Sequence, residues 1–127
     1  MTEPGGSRFD AGKPMMALLD PIALEGLATV LTMGAKKYAA HNWTRGMLWS
    51  RVTGSLLRHL FKFMRGEDYD AESGLPHIDH VLCNAMFLSH YFRMHKSLDD
   101  RCKLEVPLDS KVSSSNEAPR GYNKGVI

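Results

Sequence analysis

Cysteine is scarce in this chain of 127 residues, with Cys83 and Cys102 alone, and their spacing matches no zinc or redox motif. A disulfide scaffold and a zinc finger are thereby excluded, and both thiols are expected to be reduced, buried fillers, as in a cytoplasmic protein. No apolar run approaches the roughly 20 residues of a membrane span. The opening stretch MTEPGGSRFDAGKP lacks the apolar core of a secretion signal, which again points to the cytoplasm. Charge of neither sign dominates: 16 basic and 14 acidic residues leave a formal +2, too little to indicate a nucleic-acid partner. A Gly-x-x-x-x-Gly-Lys phosphate loop and a Gly-x-Ser-x-Gly nucleophile turn are also missing. With no activated nucleophile, water activated by a bound cation is the more plausible attacking group for any hydrolysis.

What is present is helix periodicity. Asp20-Pro21 supplies an N-cap and a proline at the first helical position. Leu24, Leu27, Leu31, Ala35 and Tyr38 follow at spacings of three and four, so a helix is expected from there to about Tyr38. Gly26 and Gly34 weaken it on propensity and mark possible close helix contacts. The upstream patch Met15, Met16, Leu18 and Leu19 is suited to packing on a helix. A second helix is expected from a Ser50 N-cap to a stop at Gly66, with Val52, Leu56, Leu60 and Phe63 facing inward and Leu57, Phe61 and Met64 broadening that stripe. A third runs from Leu75 or Pro76 to about His95, apolar over much of its circumference. The periodicity stops after Leu98, and Pro107, Ser113 to Ser115, Pro119, Gly121 and Gly125 suggest an irregular tail. The expectation is an all-α domain over 1–98, three main helices in a bundle completed by oligomerisation (a dimer or tetramer), followed by a tail over 99–127.

Chemistry concentrates between residues 58 and 80. Arg58 and His59 close one apolar helix, Glu67, Asp68, Asp70 and Glu72 crowd the connection, and His77, Asp79 and His80 open the next. Carboxylates with imidazoles are a donor set for a divalent cation. His77 and His80, three apart, share a helix face with Asn84; the bland alternative is a hydrogen-bonded core network or a wet subunit interface. The acids alone also suit a solvated loop at a helix N-terminus, with Asp68 and Asp79 the ones most expected to face water. His59 reaches the same space if the second and third helices form an antiparallel pair. Lys36 and Lys37 end the first helix, where cations complement its dipole, and with Lys13, Arg45 and Arg58 they are candidate phosphate contacts. Asn42 and Trp43, near Tyr38, carry the amide and aromatic that grip a nucleobase, although such a tryptophan is more often a core plug.

Several segments in order are familiar: Arg8-Phe9-Asp10-x-Gly12-Lys13-Pro14, Gly34-Ala35-Lys36-Lys37-Tyr38, Asn42-Trp43, Arg58-His59, Arg65-Gly66-Glu67-Asp68, and Asp70-x-Glu72-Ser73-Gly74-Leu75-Pro76-His77-x-x-His80. Together they resemble the phage-type dATP/dGTP diphosphohydrolases, sometimes called MazZ, which are related to the MazG-like all-α nucleotide pyrophosphohydrolases. The likeness covers about residues 7–95 and leaves out the tail. It implies an oligomeric, metal-dependent enzyme that cleaves a purine deoxynucleoside triphosphate to the monophosphate and pyrophosphate. The broader MazG-like class holds its metals with Glu-x-x-Glu and Glu-x-x-Asp on successive helices. Here the second pair falls on His77 and His80.

The resulting expectation is a nucleoside triphosphate diphosphohydrolase of phage nucleotide metabolism. Glu67, Asp70, Glu72, His77 and His80 are its candidate metal ligands. His59, Glu67 and Arg58 are candidate catalytic groups, and Lys13, Lys36, Lys37, Asn42 and Trp43 candidate substrate contacts. Mg²⁺ is the first expectation for the cation, and the imidazoles admit Mn²⁺ or Co²⁺. Two competing classes stand beside this one. One is a non-enzymatic helical adaptor that binds a partner or nucleic acid around a structural metal or polar network. The other is a phosphohydrolase releasing triphosphate or phosphate.

Overall fold

The structure is a computed structural model that describes residues 4–104. Three helices make its frame: α1 over Pro21–Tyr38, α2 over Trp49–Met64 and α3 over His77–Met94. Single 3-10 turns at Met16–Leu18, Asn42–Arg45 and Lys96–Leu98 complete the helical content. Among the described residues there is no strand, only an isolated bridge between Tyr69 and Pro76. The fold is all-α.

The start of α1 follows from its cap: Asp20 Oδ1 accepts the Ile22 N–H at 3.1 Å, and Pro21 has no N–H to satisfy. The helix stops after Tyr38 because Ala39 (φ 102°) and His41 (φ 62°) turn the chain through positive φ. Helix α2 starts at Trp49 with Leu48 at the N-cap, two residues before the expected Ser50 cap and without a side-chain bond. Ser50 is engaged elsewhere, since both its N–H and its hydroxyl bond the Asp100 carboxylate. Residues 99–104 of the expected tail are irregular, with Asp100 held on the start of α2. Its remainder, 105–127, lies outside the described residues.

Helix α3 is central. On one side Leu27 and Val30 of α1 pack on Cys83, with Leu31, Leu82 and Met86 around them. On the other, Trp49 and Val52 of α2 pack on Tyr91, with Trp43, Phe87 and Leu98 closing the cluster. Gly26 makes room on α1 for an α3 side chain: an added Cβ would stand 2.6 Å from Asp79 Oδ2. Asp79 is therefore partly buried against α1, where water-facing placement was expected. Gly34 has open space instead of a helix contact.

Other sequence expectations also change. Cys83 is buried but Cys102 is exposed, so only the first is a core filler. Leu57, Phe61, Phe63 and Met64 remain exposed, so α2's inner stripe is narrower than its periodicity suggests. Met15, Met16, Leu18 and Leu19 form an exposed turn and are not packed on a helix. Periodicity reports which side of a helix is apolar; it does not report whether a partner covers all of it.

Candidate active site

The site is built by the way α2 ends. Gly66 adopts φ 94°, its N–H bonds the Phe63 carbonyl at 3.0 Å, and the Glu67 N–H bonds the Lys62 carbonyl at 3.0 Å. This paired 6→1 and 5→2 closure reverses the chain at little cost because glycine has no Cβ to clash. The connection then folds on itself. The Asp70 N–H bonds the Leu75 carbonyl (2.8 Å), the Gly74 N–H bonds the Asp70 carbonyl (2.7 Å), and the His77 N–H bonds the Asp68 carbonyl (2.9 Å). Asp70 Oδ2 also accepts the Ser73 N–H at 2.9 Å, which orients its carboxylate inward.

Helices α2 and α3 run antiparallel at this end. His59 stacks on His80 with ring centroids 4.3 Å apart and planes within 5°. One turn further along, Asn84 Nδ2 donates to Ser55 Oγ at 3.3 Å and to the His80 carbonyl at 3.0 Å. His77 is fully buried, at 0% exposure. Its Nδ1 lies 2.9 Å from His59 Nδ1, and its Nε2 lies 2.5 Å from Glu67 Oε2. With Nε2–H donating to the Glu67 carboxylate, the neutral ring of His77 turns its Nδ1 lone pair to His59. His80 Nε2 is 2.8 Å from Ser73 Oγ and 3.9 Å from Asp70 Oδ2. Donor atoms of His59, Asp70 and His77 all fall within 4.8 Å of one another, close enough to converge on a cation.

Electrostatics favour the form a cation needs at two of these donors, His59 and Asp70. Burial pushes His59 below the ordinary histidine value, and His80 and His77 beside it push the same way. Burial also lowers His80, although Asp70 opposes it. For Asp70 burial acts upward, but hydrogen bonds from Ser73 and the nearby histidines outweigh it and hold the carboxyl below its usual value. At neutral pH this favours the neutral form of His59 and His80 and the ionised form of Asp70.

The same shifts set a pH dependence of stability. Where His59 and His80 are lowered on folding, the unfolded chain binds more protons, so their contribution is complete above about pH 6.5 and is lost as pH falls through the folded values. In metal-free protein the Tm is expected to be level between about pH 7 and 8 and to fall steadily towards pH 5. A Tm that rises on acidification would show the imidazoles to be charged in the folded state.

Residues 3–101 match the family described as dATP/dGTP diphosphohydrolase, N-terminal. The chain belongs to that family. A dATP/dGTP diphosphohydrolase of Salmonella phage PMBT28 is 34% identical over 96 residues, which is 76% of this chain and 33% of the phage protein. The chain thus spans about a third of the length of that relative. No solved structure matches it.

His59, Asp70 and His77 come together, with Glu67 bonded to His77 and His80 stacked on His59. Glu72 points away: it is 83% exposed, and its carboxylate pairs with Lys37 Nζ at 3.5 Å. That pairing brings the end of α1 to the acidic connection, and Tyr38 first, then Glu72, raises the Lys37 amine. Lys36 is exposed on the same last turn. Arg58 lines an open groove of about 510 Å³ beside the histidines. Lys13 lies in a separate cleft with Arg8, Phe9 and Asp10. Asn42 and Arg45 are exposed on the Asn42–Arg45 turn. Trp43 stacks on Phe87 at 4.8 Å, and its carbonyl accepts the Tyr91 hydroxyl at 2.6 Å. Ser73 and Ser55 were not singled out from sequence. Ser73 stands three residues after Asp70 in the run that ends at His80. Ser55 could have been found one turn before His59, as Asn84 lies one turn after His80.

Proposed function

We propose that the chain acts as a metal-dependent diphosphohydrolase, converting a purine deoxynucleoside triphosphate, dGTP or dATP, to the monophosphate and pyrophosphate. The observation that carries this is the convergence of His59, Asp70 and His77 next to a groove that contains Arg58. The donor chemistry fits a divalent cation: two imidazoles, with burial lowering the His59 pKa, and one carboxylate, Asp70, held below its usual value. Two nitrogens to one carboxylate favour Mn²⁺ or Co²⁺ over Mg²⁺, which prefers oxygen donors. Such a cation, when bound, neutralises phosphate charge and lowers the pKa of an attacking water.

The chain's own groups do the rest. Glu67 fixes the His77 tautomer, which keeps the Nδ1 lone pair aimed at the cluster. Ser73 restrains both His80 and Asp70. Arg58 presents its guanidinium to a phosphate bidentately, and Lys37 supplies a mobile charge at the edge of the acidic connection. Phage nucleotide metabolism is the setting, in keeping with the phage relative. Exposed Leu57, Phe61 and Met64 on α2 supply an apolar face for a second subunit.

The test is chromatography of products from purified protein incubated with each dNTP and GTP in Mg²⁺, Mn²⁺ or Co²⁺. Monophosphate plus pyrophosphate is expected, fastest with dGTP or dATP. Triphosphate or phosphate as the released group would replace the reaction class. Absence of turnover with every metal would leave the adaptor reading.

A further inference from the structure

Tyr38 and Trp43 are the two aromatic residues that flank the first loop, and they have different fates. Trp43 is committed to packing: it stacks on Phe87, meets His90 edge-on at 5.0 Å, and belongs to the Tyr91 cluster. Tyr38 is 61% exposed and lines the open groove beside the histidine cluster. The groove's volume, about 510 Å³, lies in the range of small-molecule sites. Ser55 and Asn84, joined by their hydrogen bond, are among its lining residues.

Two features tie this groove to the cation cluster. In the antiparallel register of α2 and α3, the Ser55–Asn84 pair lies one helical turn from the His59–His80 stack, about 5.4 Å along the axis. A phosphate chain anchored on the cluster therefore enters the groove within one or two links. At that boundary, Gly54 makes room for Arg58, whose Nη1 would lie 3.3 Å from a Cβ at position 54. The arginine can thus lie along α2 at the groove wall.

We propose that this groove seats the nucleoside of the triphosphate, with Tyr38 stacking on the purine and the Ser55–Asn84 pair against the sugar. The proposal rests on the diphosphohydrolase reading and takes the base-stacking role from Trp43. An exposed ring, a polar pair and a guanidinium lining one groove supply a partner for each of base, sugar and phosphate in the substrate. Stacking is also tolerant of either purine, since both present the same kind of π-face.

The experiment compares wild type, Tyr38→Ala and Tyr38→Phe for the KM of dGTP and for inhibition by inorganic tripolyphosphate, which has no nucleoside. Tyr38 is exposed, so truncation is compatible with folding, and Tm verifies it. Tyr38→Ala is expected to raise KM about 10- to 100-fold, the range lost with one base–aromatic stack, with tripolyphosphate inhibition unchanged. Tyr38→Phe should stay within about twofold of wild type, because it keeps the ring face. An unchanged KM in Tyr38→Ala, with wild type active, overturns this inference alone. Equal weakening of dGTP and tripolyphosphate overturns it too, since the ring would then serve the phosphates. Wild type inactive on every dNTP removes the functional reading and this one with it.

Discussion

Asp70→Asn yields a folded protein whose dGTP turnover falls by at least about 100-fold, because even an outer-shell partner of a metal site typically costs 10- to 100-fold. The substitution is isosteric. Its amide oxygen can still accept the Ser73 N–H that Asp70 Oδ2 accepts now, so the loop conformation is kept. What disappears is the negative charge among His59 and His77, the one anionic donor of the cluster. Glu72→Gln supplies the contrast. Glu72 is exposed and paired with exposed Lys37, and such surface pairs contribute about 0–1 kcal/mol. Its kcat should therefore stay within about threefold of wild type. Measuring kcat at saturating Mn²⁺ alongside Tm separates the two carboxylates. Equal losses in both variants would mean that Glu72 swings inward to share the site.

Tyr91→Ala is expected to have the largest effect on stability, about 3–5 kcal/mol by the usual cost of truncating a buried aromatic. Tyr91 has 0% exposure and joins Trp49 and Val52 of α2 to α3. Its hydroxyl donates to the Trp43 carbonyl at 2.6 Å, so the same ring also ties down the loop after α1. Domains are stable by only about 5–15 kcal/mol, so this variant should be largely unfolded in modest denaturant. Tyr91→Phe keeps the packing and leaves the carbonyl unpaired, at about 1–3 kcal/mol. Urea denaturation reads both. A loss below about 0.5 kcal/mol in Tyr91→Phe would show that water satisfies the carbonyl instead. This cluster matters to the site because it anchors α2 on α3, and that pairing is what puts His59 against His80.

The legible parts of this chain were those governed by local rules. Asp20-Pro21 marks the start of α1 because cap and proline act within one turn, and Gly66 marks the end of α2 for the same reason. The donor types near residues 67–80 were legible as well. Their convergence was not, because it needs three events at once: the reversal at Gly66, the antiparallel register that brings His59 across, and the loop closed by Gly74 at φ 74°. That loop turns Asp70 inward and Glu72 outward although they are two residues apart, a distinction no composition rule carries. Trp43 and Tyr38 look equally available in sequence. Only the seat of Trp43 on Phe87 separates them, and that contact spans more than forty residues. Ser50 offered a good cap by local rules, yet Asp100 captures it.

The most direct measurement is titration of metal-free protein with Mn²⁺, followed by the paramagnetic signal of the free ion, in wild type, Asp70→Asn and Glu72→Gln. Saturable binding in wild type that persists in Glu72→Gln and is lost in folded Asp70→Asn is the expected result. Binding that survives Asp70→Asn undiminished would contradict a metal centre at His59, Asp70 and His77.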